Sequence, residues 1–211
     1  MKELFELATQ TKGFMPHEEG MALYQAAIDA SNYCAGPMVE IGAYCGKSTI
    51  YIGAACDQVN SVLFSVDHHR GSEENQSGWE HHDPELVNPL TGRMDTLPTW
   101  RETIESAKLE HCVIAIVGES ITIASNWSTP LSFLFIDGGH GEDPAWSDYR
   151  NWTPHIALNG ILAIHDVFEN SKDGGRPPYE IYVDALKSGS YQEISTQGSL
   201  RILKKTSHTE R

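Results

Sequence analysis

Val39-Glu40-Ile41-Gly42-Ala43-Tyr44-Cys45-Gly46-Lys47-Ser48 reads as a short apolar strand ending beside an acid, a glycine turn, and the start of a helix. An apolar run of this length, closed by glycines, is the mark of a buried strand. The pattern returns along the chain. Residues 62–66 run into Asp67, residues 131–136 into Asp137, and residues 161–164 into His165-Asp166. In open α/β sheets ligands bind beyond the carboxyl ends of the strands. Four strands that each deliver an acid or a histidine to that edge predict a ligand site there.

Working outward, helices are expected over 3–9 and 17–33. In the second, Met21, Tyr24 and Ala27-Ile28 fall near a 3.6 period, and Thr11-Lys12-Gly13-Phe14-Met15-Pro16 makes the turn between them. Strands at 38–41, 62–66, 113–117, 131–136 and 160–164 alternate with helices at 48–55, 97–109, 121–127, 144–155 and 179–187. Ser48 suits an N-cap, and Pro144 suits a first helical turn. Residues 191–195 and 200–203, separated by Thr196-Gln197-Gly198-Ser199, read as a terminal hairpin. The expected fold is α/β: a doubly wound, mostly parallel seven-stranded sheet with an antiparallel C-terminal hairpin and N-terminal helices over 1–34. The length of 211 residues suits one domain. Residues 68–96 break the alternation. An insertion of this size in a compact domain is usually functional, and a lid or acceptor loop is expected.

The composition narrows the partners. Fifteen Lys and Arg face 29 Asp and Glu, a net charge of −14, which repels nucleic acid and anionic membrane surfaces. No apolar run is long enough to span a membrane. The opening Met1-Lys2-Glu3-Leu4 carries an acid and no long apolar stretch, so no secretory signal is expected. Cys34, Cys45, Cys56 and Cys112 show no paired spacing. Reduced thiols in a cytoplasmic protein are expected, and Cys45 lacks an evident partner that would make it a nucleophile.

Gly42 and Gly46 permit a tight turn and close backbone approach to a ligand. Their spacing is GxxxG, not the GxGxxG of dinucleotide sites; an ordinary strand–helix turn is the plain alternative. Asp67, 21 positions beyond Gly46, can accept both hydroxyls of a ribose, or can cap a loop. Asp137 and Asp166 at adjacent strand ends would repel unless a cation or a proton relieves them. With His165 they form a candidate metal set. Hard oxygens suit Mg2+, the histidine admits Mn2+, and His165 could instead only orient the ligands. His140, three residues past Asp137, has the side chain of a general base for a hydroxyl proton, or of a residue that binds substrate or metal. His68, His69, His81 and His82 are candidates for the acceptor pocket, and their spacing matches no zinc pattern. Trp79, Trp100, Trp146 and Trp152 are expected as core or lid anchors.

The ordered set Glu40-x-Gly42-x-x-x-Gly46-x-Ser48, then Asp67, resembles the class I S-adenosylmethionine-dependent methyltransferases over about residues 35–205. Phe135-Ile136-Asp137-Gly138-Gly139-His140 and Ile164-His165-Asp166 are similar to the small bacterial O-methyltransferases of sugar-modifying and catechol type. The insertion Asp67-His68-His69-Arg70-Gly71-Ser72-Glu73-Glu74-Asn75-Gln76 resembles the actinobacterial methylmannose-polysaccharide 1-O-methyltransferases. This resemblance implies a cofactor site at Glu40, Ile41, Gly42, Ser48, Asp67, Gly118, Ser120 and Asp137, with Glu40 near the methionine end and Gly118-Glu119-Ser120 at the adenine. It implies a divalent metal on Asp137, His165 and Asp166, where catechol-type relatives carry an Asp-Asn pair in place of His165-Asp166. It implies His140 as base and a small acceptor, a saccharide in the narrower family, near His68 and His69. The two N-terminal helices offer a surface for a homodimer. Two other readings compete: a metal phosphoesterase, because Asp67-His68-His69 spells its DHH motif although residues 1–60 lack a DxD, and a non-catalytic nucleoside-binding protein.

Overall fold

The computed structural model describes residues 1–207 except 77, 80, 81, 140 and 171, and leaves the Glu74 side chain aside. The elements in chain order are α1 (Lys2–Gln10), α2 (His17–Tyr33), β1 (Met38–Ile41), α3 (Lys47–Val59), β2 (Leu63–Asp67), α4 (Leu97–Ala107), β3 (Val113–Val117), α5 (Ser120–Ala124), β4 (Leu131–Ile136), α6 (Glu142–Trp152), β5 (Ile156–Ile164), α7 (Arg176–Lys187), β6 (Tyr191–Gln197) and β7 (Leu200–Lys205). The sheet order is β3-β2-β1-β4-β5-β7-β6. β1 to β5 pair in parallel, and β7 is antiparallel to both β5 and β6. The doubly wound sheet with an antiparallel hairpin matches the expectation. Its order reverses between β1 and β4, the switch point where such sheets open a crevice.

Successive side chains on a strand point to opposite faces, and two cores result. Met38, Phe133, Phe135 and Ala163 pack under α2, α3 and α4. Val39, Ile41, Leu134 and Ile164 pack against α6 and α7. The same alternation sets Glu40, within β1, and His165, just past the end of β5, on the α2–α3 face.

Several boundaries shift from the sequence expectation, and three of the shifted starts have a local reason. α3 starts at Lys47 with Gly46 as its cap in a left-handed conformation, so Ser48 is inside the helix and its hydroxyl is used elsewhere. β5 starts at Ile156, before Asn159-Gly160, because Ile156 pairs with Leu131 across a register shift; Asn159 takes a positive φ within the strand. α7 starts at Arg176 and takes Pro177-Pro178 into its first turn, where their missing N–H groups cost no helical bond. The 68–96 insertion holds short 3-10 turns at Glu73–Asn75 and Pro84–Leu86 and an antiparallel bridge from Val87 to Met94. Among the described residues no helix is long and apolar enough to cross a membrane.

α2 lies close on α3 because Gly20 faces the Tyr51 ring. A Cβ at Gly20 would stand 2.3 Å from Tyr51 Cε2, and the ring is fully buried, stacked on Phe5, with its hydroxyl 2.9 Å from His17 Nδ1. Alanine at a helical glycine normally gains about 1 kcal/mol, whereas overpacking a core costs about 1–3 kcal/mol. The ring has no free side to move into, so Gly20→Ala is expected to destabilise. Urea unfolding of the two proteins checks this; a variant more stable than the parent would contradict it.

Candidate functional site

The carboxyl ends of β1, β2, β3, β4 and β5 open into a cleft of about 1110 Å³, above the roughly 300–1,000 Å³ of a single small-ligand pocket. Its floor is the crossing of two backbones. Gly42 has φ +86, and a Cβ there would lie 2.2 Å from the Asp137 carbonyl oxygen, so only glycine lets the β1 turn pass this close to the end of β4. Ile41, Gly42, Ser48, Asp67, Gly118 and Ser120 all reach the wall, as do Asp137, His165, Asp166 and His68. Glu40 and His69 do not line it.

Glu40 is fully buried. Its oxygens accept from the hydroxyls of Ser48, Thr49 and Ser65, and the Trp100 indole donates to Thr49. Ser65 is its parallel-strand neighbour in register. Burial pushes the carboxyl up to about 7, against the pull of the three hydroxyl donors. Glu40 therefore reaches the cleft only through Ser48. His69 is turned inward for a related reason: its backbone takes φ +58, and its Nδ1 lies 2.7 Å from Thr96 Oγ1 beside Trp100. Its ring packs in the protein and is out of reach of a cleft ligand, a correction to its place in the expected acceptor pocket.

Asp67 is heavily engaged. One oxygen accepts from the Ala43 and Tyr44 N–H groups, each at 2.9 Å, and the other from the His69 N–H at 2.7 Å. A carboxylate has about four acceptor positions, so one of them stays available for a ligand hydroxyl. The acid that ends β2 also pins the glycine turn after β1. With Asp67 committed to backbone donors and His69 to Thr96, the Asp67-His68-His69 string does not converge into a metal set.

At β4 and β5 the side chains do converge. Asp137, His165 and Asp166 each offer an atom within 4.8 Å of the others. His165 Nδ1 lies 2.9 Å from Asp137 Oδ1 and 3.5 Å from Asp166 Oδ1. Its Nε2 lies 2.6 Å from Glu19 Oε2 of α2. Burial would strip the ring of its proton, but the carboxylates of Asp137, Asp166 and Glu19 outweigh burial and raise its pKa well above the ordinary value. Burial also opposes ionisation of Glu19, yet the His165 and Ser199 donors hold its pKa below the usual value. An ionised Glu19 only accepts, so Nε2 carries a proton.

The expected general base, His140, lies outside the described residues, as does His81. Gly139 and Gly141, which flank His140, line the cleft. His82 Nδ1 lies 3.0 Å from the Asn75 carbonyl oxygen. Of the tryptophans, Trp100 and Trp152 are core and Trp79 is exposed at the cleft. The four cysteines are free thiols; burial pushes Cys45 up to about 12, away from the reactive thiolate.

Sequence reading missed two acids. Asp148 of α6 lines the cleft beside Gly138, and burial pushes it up to about 6 against the Ser120 hydroxyl; Ser120 Oγ in turn accepts from the Trp152 indole. Glu19 is the other. Both carried a signal. Asp148 sits on the buried stripe Ala145, Tyr149, Trp152, and Glu19 on the stripe Leu23, Ala26, Ala27, Ala30. An acid on the apolar face of a helix must have a buried partner.

Residues 39–167 match the family model described as a methyltransferase domain, and the chain belongs to that family. The fold is shared with solved structures at low identity. The O-methyltransferase NovP superposes with a TM-score of 0.66 at 16% identity, covering 90% of this chain and 81% of its own. The Podospora anserina methyltransferase PaMTH1, solved bound to S-adenosylhomocysteine, gives 0.66 at 11%, covering 98% and 87%. TomG from Streptomyces achromogenes, an O-methyltransferase of tomaymycin synthesis solved with S-adenosylmethionine, gives 0.63 at 14%, covering 98% and 89%.

Glu40 gives the site a pH signature. In the folded chain it titrates at about 7, above its ordinary 4.5, so the folded state keeps a proton that the unfolded chain releases between these values. Its stabilising contribution is full below pH 4.5 and is lost as pH rises through 7. The shift corresponds to about 3 kcal/mol at most. Thermal melts of the ligand-free protein at pH 5, 6.5 and 8 should show a steeper loss for wild type than for Glu40→Gln. Parallel profiles would refute the assignment.

Proposed function

We propose that this methyltransferase is an S-adenosylmethionine-dependent O-methyltransferase that acts on a hydroxyl of an uncharged saccharide, with Mg2+ or Mn2+ at the acceptor. The observation that carries this reading is the single cleft at the switch point into which the glycine turn, Asp67, and the Asp137–His165–Asp166 set all open.

The cleft suits the cofactor. Carboxylates outnumber lysines on its described wall eight to two, which favours a sulfonium cation. We assign Gly42 and Ile41 to close backbone approach, Ser48 (with Glu40 behind it) to the methionine end, Asp67 to a ribose hydroxyl, Gly118 and Ser120 to the base, and Asp137 to the junction with the acceptor. S-adenosylmethionine supplies a methyl group that is already electrophilic. The protein's share is then to align the acceptor oxygen and to take its proton. His140 is assigned as the base, its ring nitrogen receiving the hydroxyl proton.

The strand-end donors fit a divalent cation. Six-coordinate Mg2+ with bonds of about 2.0–2.1 Å sets neighbouring donors about 3 Å apart, and His165 Nδ1 has Asp137 and Asp166 oxygens at 2.9 and 3.5 Å. A histidine ligand commonly gives its other N–H to a carboxylate, as His165 gives Nε2–H to Glu19. Asp137, Asp166 and His165 would hold the ion, which would supply Lewis-acid stabilisation of the acceptor alkoxide. Ion and proton would compete for Nδ1.

The same excess of carboxylates opposes phosphate-bearing or carboxylated acceptors. Phe14 and Trp79, 63% and 53% exposed, stand on the cleft wall with Tyr44, where flat apolar rings can meet the C–H face of a sugar. With the resemblance of the 67–76 segment, this supports the 1-hydroxyl of 3-O-methylated mannosides as acceptor, beside His68.

Calorimetry with S-adenosylhomocysteine should show binding both in Mg2+ and in EDTA. Transfer from S-adenosylmethionine to 3-O-methylmannosides should require the ion, and His140→Ala should lower kcat by roughly 10²–10⁴-fold with cofactor affinity unchanged. Absence of S-adenosylhomocysteine binding sinks the cofactor reading; full transfer in EDTA sinks the ion; full turnover by His140→Ala sinks the base.

A further inference from the structure

We infer that Glu19 of α2 is a positioning residue for the cation site: it fixes the tautomer and orientation of His165 so that Nδ1 faces Asp137 and Asp166. The inference rests on the cation reading above and extends it to a residue outside the matched methyltransferase region.

The carboxylate is itself held rigidly. Glu19 is 4% exposed. Its Oε2 takes the His165 ring at 2.6 Å, while its Oε1 accepts from the Ser199 N–H at 2.6 Å and the Ser199 hydroxyl at 3.2 Å. The β6–β7 turn is shaped around it: Gly198 has φ +54, and a Cβ there would stand 2.0 Å from Glu19 Oε1. Each oxygen thus has one task, Oε1 on the hairpin and Oε2 on the ring. Because Oε2 can only accept, Nε2 must donate, and Nδ1 is the nitrogen left to serve the cation.

A purely structural role, tying α2 to the hairpin, predicts something different, and glutamine separates the two. In Glu19→Gln the Ser199 N–H selects the amide oxygen as its partner. The amide NH2 then points at Nε2, so Nε2 must accept and Nδ1 must carry the proton. That near-isosteric change keeps the hairpin contact but inverts the tautomer, which removes Nδ1 as a ligand.

The test is Mn2+ binding, followed by electron paramagnetic resonance, to wild type, Glu19→Gln and Glu19→Ala, each full-length and saturated with S-adenosylhomocysteine. We expect Mn2+ affinity to fall about 10–100-fold in both variants, with S-adenosylhomocysteine affinity within about two-fold of wild type. Unchanged Mn2+ affinity in Glu19→Gln overturns the inference while leaving the cation site standing. If wild type takes up no Mn2+, the cation reading falls and this inference with it, and retained S-adenosylhomocysteine binding identifies that as the step that failed. Should Glu19→Ala not fold, Glu19→Gln decides alone.

Discussion

The site depends on one buried chain of charge, from Glu19 through His165 to Asp137. Isolated charges this deep are expensive, and removing one partner of a buried pair leaves the other uncompensated. Here the imidazole lies between carboxylates from two directions, so its positive charge offsets acids that the strand ends would otherwise set against each other. The chain also joins parts of the fold far apart in sequence. Glu19 comes from α2, Ser199 from the terminal hairpin, and His165 and Asp137 from the ends of two central strands. The N-terminal helices and the hairpin thus belong to the site's architecture although both lie outside residues 39–167.

Glu19 and Glu40 show why burial alone does not set ionisation. Both are almost wholly covered. Glu40 meets only hydroxyls, which are weak compensation for a lost hydration shell, and its carboxyl rises towards neutrality. Glu19 meets an imidazole and a backbone N–H, and its carboxyl falls. Burial pushes both upward; it prevails at Glu40, whose partners are neutral hydroxyls, and is outweighed at Glu19 by the imidazole and the Ser199 donors. One acid is thus shifted towards the neutral form under the glycine turn, while the other is held towards the anion behind the strand ends.

Much of this was legible in the chain because buried strands write a short apolar code and end on the residues they present. β1, β3 and β4 fall where their apolar runs do. The start of β5 was hidden because Asn159-Gly160 mimics a turn inside a strand. His69 was misplaced because no periodicity governs an irregular loop; whether a side chain there faces the cleft or the core is set by one positive φ and by Thr96. Glu19 was hidden for another reason. Its partner lies 146 positions away, and only the rule that an acid on an apolar helical stripe needs a partner points to it.

The acid-rich wall poses a chemical problem that the rest of the cleft answers. Carboxylates favour a cationic donor, but they also oppose the alkoxide that an acceptor hydroxyl becomes as its proton leaves. In the proposed reaction positive charge is needed beside that oxygen, and the His165 ring, held between Asp137 and Asp166, would supply it. An ion replacing the Nδ1 proton would supply more positive charge at the same point and in direct reach of the acceptor oxygen. The 68–96 insertion is held more lightly. Lys12, in the α1–α2 turn, reaches Asp83 and Glu85 of the insertion, each at 2.6 Å, and exposed ion pairs of this kind contribute at most about 1 kcal/mol. The contact that holds His165 to Glu19 is buried, whereas the pairs that tie the insertion to the α1–α2 turn are exposed, so the insertion can loosen at less cost than the strand-end cluster.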